Sequence, residues 1–278
     1  MRIRLRFTKL GRIRFTSQRD VARMWERALR RGGLPLAYTE GFSPRPQLSF
    51  GLALPTGCES LAEYLDVVLD EHRPETAGIE VEALPGRLSD LLPAGIEVEA
   101  AAPIERRAGS LQQEVTSCSW SMGIAGISKG ALEAQVRALL AAPAVTIVRE
   151  RKGREEHDDL RPSVLALAVE GHRAPTGTNT MTGGEGPVVV VAELATRPRG
   201  VRPIELLRGL VAVSGGPAAD GSLGTAPGRG TAAGTPVIDR ACRTQQWIEC
   251  EGIREEPLRR RGEPTGTRRA AHALERAS

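Results

Sequence analysis

At 278 residues, with 40% hydrophobic and 26% charged side chains, the chain is long enough for one large domain or two small ones, and neither needs metals or disulfides to hold its core. A formal charge of +4 conceals two opposed blocks: residues 1–31 carry eleven arginines and lysines against Asp20 and Glu26, and residues 59–105 carry twelve carboxylates against Arg73 and Arg87. The sequence has no run of roughly twenty apolar residues and no secretory h-region, and its four cysteines show no CxxC spacing, which argues against a membrane span, a leader, and a zinc or iron–sulfur site, and predicts a cytoplasmic chain.

Residues 2–7 alternate Arg2, Arg4 and Arg6 with Ile3, Leu5 and Phe7, the period-two signature of a half-buried strand with a basic outer face. Past a turn at Gly11, Ile13 and Phe15 continue the alternation, and Ser17 with Asp20 three residues on predicts a capped helix start. The apolar stripe of that helix is Val21, Met24, Trp25, Ala28 and Leu29, and Gly32-Gly33 ends it. Short extended pieces are expected at 34–38 and 48–54 around a proline-rich loop, then a strand at 63–69, a helix within 75–92 interrupted near Pro85-Gly86, and a returning strand at 95–101. The remainder repeats the order with a strand at 113–120, a helix at 129–141, strands at 145–151, 164–170 and 188–194, a helix at 201–213 and a final edge strand within 237–250. The predicted fold class is therefore α+β, as two tandem ferredoxin-like (split βαβ) halves with antiparallel sheets, over residues 1–105 and 112–250. The segments 171–186, 214–236 and 251–278 are rich in small, proline or arginine residues and are expected to be two disordered insertions and a disordered tail.

Chemistry concentrates in the first seventy residues. Arg19, Arg23 and Arg27 recur every fourth residue, so the helix presents a ridge of guanidinium groups suited to phosphate contacts, or else a solvated face balanced by the acidic block. In Gly41-Phe42-Ser43-Pro44-Arg45-Pro46 two prolines bracket an arginine, which holds Arg45 on a stiff loop with little entropy left to lose on binding. Gly41, Phe42, Ser43 and Arg45 form one candidate surface with Arg4 and Arg14, although Phe42 itself reads more readily as a plug into the core. Tyr64 and Asp66 open a strand close in sequence and are candidates to pair with a ligand or an arginine, or to act as a general base. The histidines have no partner spacing, and nucleotide-binding and metal motifs are absent from the sequence, so neither a metal nor a cofactor is expected.

The segments Phe7-Thr8-Lys9-Leu10-Gly11, Arg14-Phe15-Thr16-Ser17-Gln18-Arg19-Asp20, Leu34-Pro35-Leu36-Ala37-Tyr38-Thr39-Glu40-Gly41-Phe42-Ser43-Pro44-Arg45-Pro46 and Ala62-Glu63-Tyr64-Leu65-Asp66 make the chain similar to the bacterial radical SAM-linked protein family over roughly residues 1–210. Members of that family are encoded beside, or fused to, radical S-adenosylmethionine proteins, often near genes for ribosome and RNA metabolism. The resemblance implies an accessory or substrate-presenting role with a radical SAM partner and with RNA or a ribonucleoprotein. Members commonly carry Ser-His-Leu-Asp and Asn-Pro-His-Pro where this chain has Ser17-Gln18-Arg19-Asp20 and Ser43-Pro44-Arg45-Pro46, so histidine chemistry is not expected here. The leading expectation is a non-catalytic RNA-binding accessory. An RNA-processing or RNA-modifying enzyme centred on Arg45, Tyr64 and Asp66, and a purely protein-binding module, stand as alternatives.

Overall fold

The computed structural model describes residues 1–105, 109–151, 153–172, 186–215, 235–259 and 268–269. The chain divides into two compact units, Met1–Thr116 with Gln245–Ser278, and Ser117–Thr244.

The first unit opens with β1 (Arg2–Lys9), whose alternation sends Ile3, Leu5 and Phe7 into the core. The strand does not continue through Ile13 and Phe15. Gly11, at a φ of +72°, breaks the extended path and a 3-10 turn over Gly11–Phe15 follows. Helix α1 (Gln18–Arg31) then starts where its cap requires: the Ser17 hydroxyl accepts from the Asp20 amide at 3.2 Å and donates to the Asp20 carboxylate at 2.7 Å. Val21, Trp25, Ala28 and Leu29 are buried, and the Trp25 ring meets Phe7 edge to face at 4.9 Å. Ser17→Ala is expected to cost about 1 kcal/mol, seen as a drop of a few degrees in the thermal midpoint. A drop of less than about one degree would mean that the apolar stripe alone fixes where the helix starts.

Strands β2 (Leu48–Phe50) and β3 (Glu59–Val68), helix α2 (Leu84–Ser89), strand β4 (Val98–Ile104) and the single turn α3 (Leu111–Glu114) complete this region. β4 and β3 flank β1, β2 pairs with β3, and all three pairings are antiparallel. The helix expected within 75–92 is short because prolines restart it. A 3-10 turn over Pro74–Gly78 and α2 each carry proline in their first turn, where its missing N–H costs nothing, whereas further in it would break the hydrogen-bond ladder. The extended piece expected at 34–38 forms only the isolated bridges Leu36↔Leu69 and Tyr38↔Pro46. One face of the sheet, α1 and α2 enclose a core that includes Leu65, Val67, Leu84 and Leu88.

The second unit contains β5 (Ser117–Ala125), α4 (Lys129–Ala141), β6 (Thr146–Arg151), β7 (Arg154–Asp159), β8 (Val164–His172), β9 (Val188–Ala195), α5 (Pro203–Ala212) and the first part of β10 (Val237–Cys250). α4 has the predicted bounds, and its Ser128 hydroxyl accepts from the Ala131 amide at 3.3 Å. β5 runs later than the strand expected at 113–120 because α3 occupies 111–114.

Two tandem ferredoxin-like halves with their own antiparallel sheets do not form, and that expectation is corrected. The fold is instead mixed α+β, with a large mixed sheet and with β6 and β7 as a separate two-stranded antiparallel sheet. β10, expected as a final edge strand within 237–250, is one strand of 14 residues that contributes to both units. Its C-terminal end also pairs with β11 (Ile253–Glu255), and β11 with β12 (Arg268–Arg269), so the expected tail begins with a hairpin. The rest of the three segments expected to be disordered, at 173–185, 216–234, 260–267 and 270–278, lies outside the described residues. Among the described residues no helix is long and apolar enough to cross a membrane.

Candidate nucleic-acid interface

The basic block at the start of the chain separates into two populations by burial. Across the β1–β3 ladder Arg4 sits opposite Asp66 and Arg6 opposite Tyr64. The expected basic outer face of β1 is therefore an internal ion-pair layer, with Arg4 4%, Arg6 2%, Tyr64 1% and Asp66 1% exposed. Asp66 accepts from Arg4 Nε at 2.7 Å and Arg4 Nη2 at 3.0 Å, and from Arg2 Nη2 at 2.7 Å. Arg6 Nε donates to Glu99 at 3.0 Å, and Arg6 Nη1 donates to the Tyr64 hydroxyl at 3.2 Å, the Leu258 carbonyl at 3.2 Å and the Glu256 carboxylate. The Tyr64 hydroxyl in turn donates to Gln245 Oε1 at 3.2 Å. Ala62, Tyr64 and Leu111 form a small apolar cluster with Leu258 packed against it. Burial alone would depress the Arg6 guanidinium, but Tyr64, Glu256 and Glu99 outweigh it and hold Arg6 above its ordinary value. Arg4, Tyr64 and Asp66 thus lie inside the protein, Asp66 paired with Arg4 and Tyr64 bonded to Arg6 rather than to the Arg45 loop that the sequence suggested.

The second population faces water. α1 leaves Arg19, Arg23, Arg27, Arg30 and Arg31 exposed on the side opposite its buried stripe. Arg23 lies 3.5 Å from Asp20, with both side chains more than half exposed, an arrangement worth little in water. Arg27 Nε donates to the Arg23 carbonyl at 3.2 Å. Among the described residues no carboxylate lies within ion-pair distance of Arg19, Arg27, Arg30 or Arg31. A cleft of about 560 Å³ runs beside this ridge, lined by Met24, Arg27, Arg30 and Arg31 on α1 and by Asp90 and Leu92 beyond α2. Arg14, just before the helix, stacks its guanidinium 4.6 Å from the Phe15 ring centroid and stands 3.6 Å from Glu59. The Phe15 ring is half exposed.

The loop after α1 is a closed hairpin. Thr39 N–H donates to the Arg45 carbonyl at 2.9 Å, Arg45 N–H donates to Thr39 Oγ1 at 3.1 Å, and Gln47 N–H donates to the Ala37 carbonyl at 2.9 Å. Gly41, at a φ of +118°, permits the turn at the tip. Gly41, Phe42, Ser43 and Arg45 are all exposed. Phe42 does not plug the core: it stands fully in solvent, because the hairpin closes at Thr39 and Arg45 and holds residues 40–44 clear of the sheet. The backbone partner of Arg45 is Thr39, whereas Tyr64 and Asp66 are engaged by the arginines of β1.

A second cleft, of about 790 Å³, opens under this hairpin and is lined by Arg2, Glu40, Asp66, Asp70, Glu71 and His72 among others. Among the described residues no group of three or more His, Cys, Asp or Glu side chains is placed to hold a metal ion. Glu99 and Glu256 as partners of Arg6, and Gln245 as partner of Tyr64, were not found from sequence. Their distance along the chain left no local signal except a carboxylate surplus.

No curated protein matches the chain. A family model described as an uncharacterised protein conserved in bacteria (DUF2344) matches residues 2–193, more than two thirds of the sequence and all of β1, α1 and the 39–45 hairpin. By that match the chain belongs to the bacterial family DUF2344.

Proposed function

We propose that this chain is a non-catalytic RNA-binding accessory that holds an RNA or ribonucleoprotein substrate for a radical SAM partner enzyme. The observation that supports RNA binding is the arginine row of α1, exposed and almost without carboxylate partners, while the arginines of β1 are buried and paired. A fold that needed these charges only for internal balance would pair them. Guanidinium groups left at helical spacing in water suit successive phosphates. Arg45, fixed by the Thr39 hydrogen bonds, adds a contact with little ordering cost. The radical SAM partner rests on the resemblance of the first seventy residues to the radical SAM-linked proteins.

Filter binding across a salt series tests the RNA-binding reading. Four contacts, from Arg19, Arg23, Arg27 and Arg45, predict that log affinity for a single strand falls with log salt with a slope of about −3. Binding at 50 mM salt no better than that of a neutral control protein would refute the reading. Co-purification with the neighbouring radical SAM protein tests the partner separately.

A further inference from the structure

We infer that the RNA taken by this chain is single-stranded, and that Phe42 and Phe15, exposed on the segments that follow and precede α1 in the chain, are base-stacking platforms. The inference rests on the RNA-binding reading above and adds the class of RNA. Aromatic side chains are scarce in this chain, with four phenylalanines, three tryptophans and two tyrosines in 278 residues, and a fold so poor in them gains most by burying each one. Phe7 and Tyr64 are buried, but Phe15, Tyr38 and Phe42 are 49%, 43% and 110% exposed.

In chain order these exposed rings lie before and after α1. Phe15 lies three residues before Gln18, the first residue of α1, with Arg14 stacked on it. Tyr38 and Phe42 lie in the hairpin that follows the helix, on either side of the Thr39–Arg45 closure. The 14 residues of α1 span about 21 Å, a length over which a single strand offers several phosphates to Arg19, Arg23 and Arg27. Exposed rings that each have a cation nearby, Arg14 on Phe15 and Arg45 on the hairpin of Phe42, suit a strand with unpaired bases, because the rings take base faces that a duplex keeps stacked internally. Phe42 is held for this use by its backbone, since Gly41 makes the turn and Pro44 and Pro46 stiffen the return.

The experiment measures the affinity of the full chain for three probes of equal length: an oligouridine strand, an RNA duplex, and an abasic ribose-phosphate strand with the same charges and no bases. The wild type is expected to bind oligouridine about tenfold or more tighter than the abasic strand, as stacking on one or two rings provides. Phe42→Leu keeps the apolar bulk and removes the ring, and is expected to erase most of that margin, whereas Phe42→Trp keeps it. Neither change disturbs the fold, because Phe42 contacts solvent only, and circular dichroism confirms this. If the wild type binds all three probes equally and Phe42→Leu changes nothing, the stacking inference is wrong while the RNA-binding reading stands. If no probe binds at low salt, the reading itself falls. If Phe42→Leu leaves RNA affinity intact but abolishes co-purification of a protein, Phe42 is a protein-docking residue and the inference is overturned.

Discussion

Arg19→Ala, Arg23→Ala and Arg27→Ala combined are expected to lower RNA affinity by two to three orders of magnitude at 50 mM salt and to flatten the salt slope by about 2. The magnitude follows from counterion release. Each phosphate contact on a single strand contributes about 0.7 to the slope, which between 1 M and 50 mM salt amounts to about eightfold per contact. Three contacts multiply to roughly 500-fold, and the loss should shrink steadily as salt rises. Stability should not fall, because all three side chains are exposed and alanine is the better helix former. Arg137→Ala on α4, also exposed, removes a single arginine outside the ridge and should leave affinity nearly unchanged. An equal loss with that variant, or a loss independent of salt, would mean that the ridge is not a phosphate-contacting surface.

Which arginines are available for such contacts could not be read from local sequence. The alternation of β1 correctly sent Ile3, Leu5 and Phe7 inward, and it assigned the opposite face to water because arginine is rarely buried. What buries that face comes from far away: Asp66 lies 62 residues from Arg4, and Glu256 lies 250 residues from Arg6. Period-two reasoning sees the strand and not its cover. α1 was legible in detail, since its cap, stripe and end are all written within eighteen residues. β7 was missed because its sequence, Arg-Glu-Glu-His-Asp-Asp, has no apolar alternation and is held by pairing with β6. Phe42 was assigned inward by residue type, and the closure of the hairpin around it, set by Thr39 and Arg45, decided otherwise.

Asp66→Asn should be the most damaging single substitution in the ion-pair layer, destabilising the protein by about 3–5 kcal/mol. Asn is nearly isosteric, so the loss is electrostatic. Asp66 is the shared acceptor of Arg2 and Arg4, and the Arg4 side chain is only 5% exposed, so removing the carboxylate leaves its guanidinium with only the longer 3.9 Å approach to Glu114 and with little access to water. Arg2 loses less, being nearer the rim. The thermal midpoint should fall by roughly 6–20 °C. Arg4→Met combined with Asp66→Leu should recover most of the loss, because replacing both partners removes the buried charge as well as its counter-charge. The same variant separates structure from interface. If β1 contributes only to the fold, folded Asp66→Asn protein binds RNA with the wild-type salt slope, whereas a slope changed by about 0.7 or more would place a β1 arginine on the phosphate path after all. A midpoint within about two degrees of wild type would mean that water reaches Arg4 and that the pair is not effectively buried.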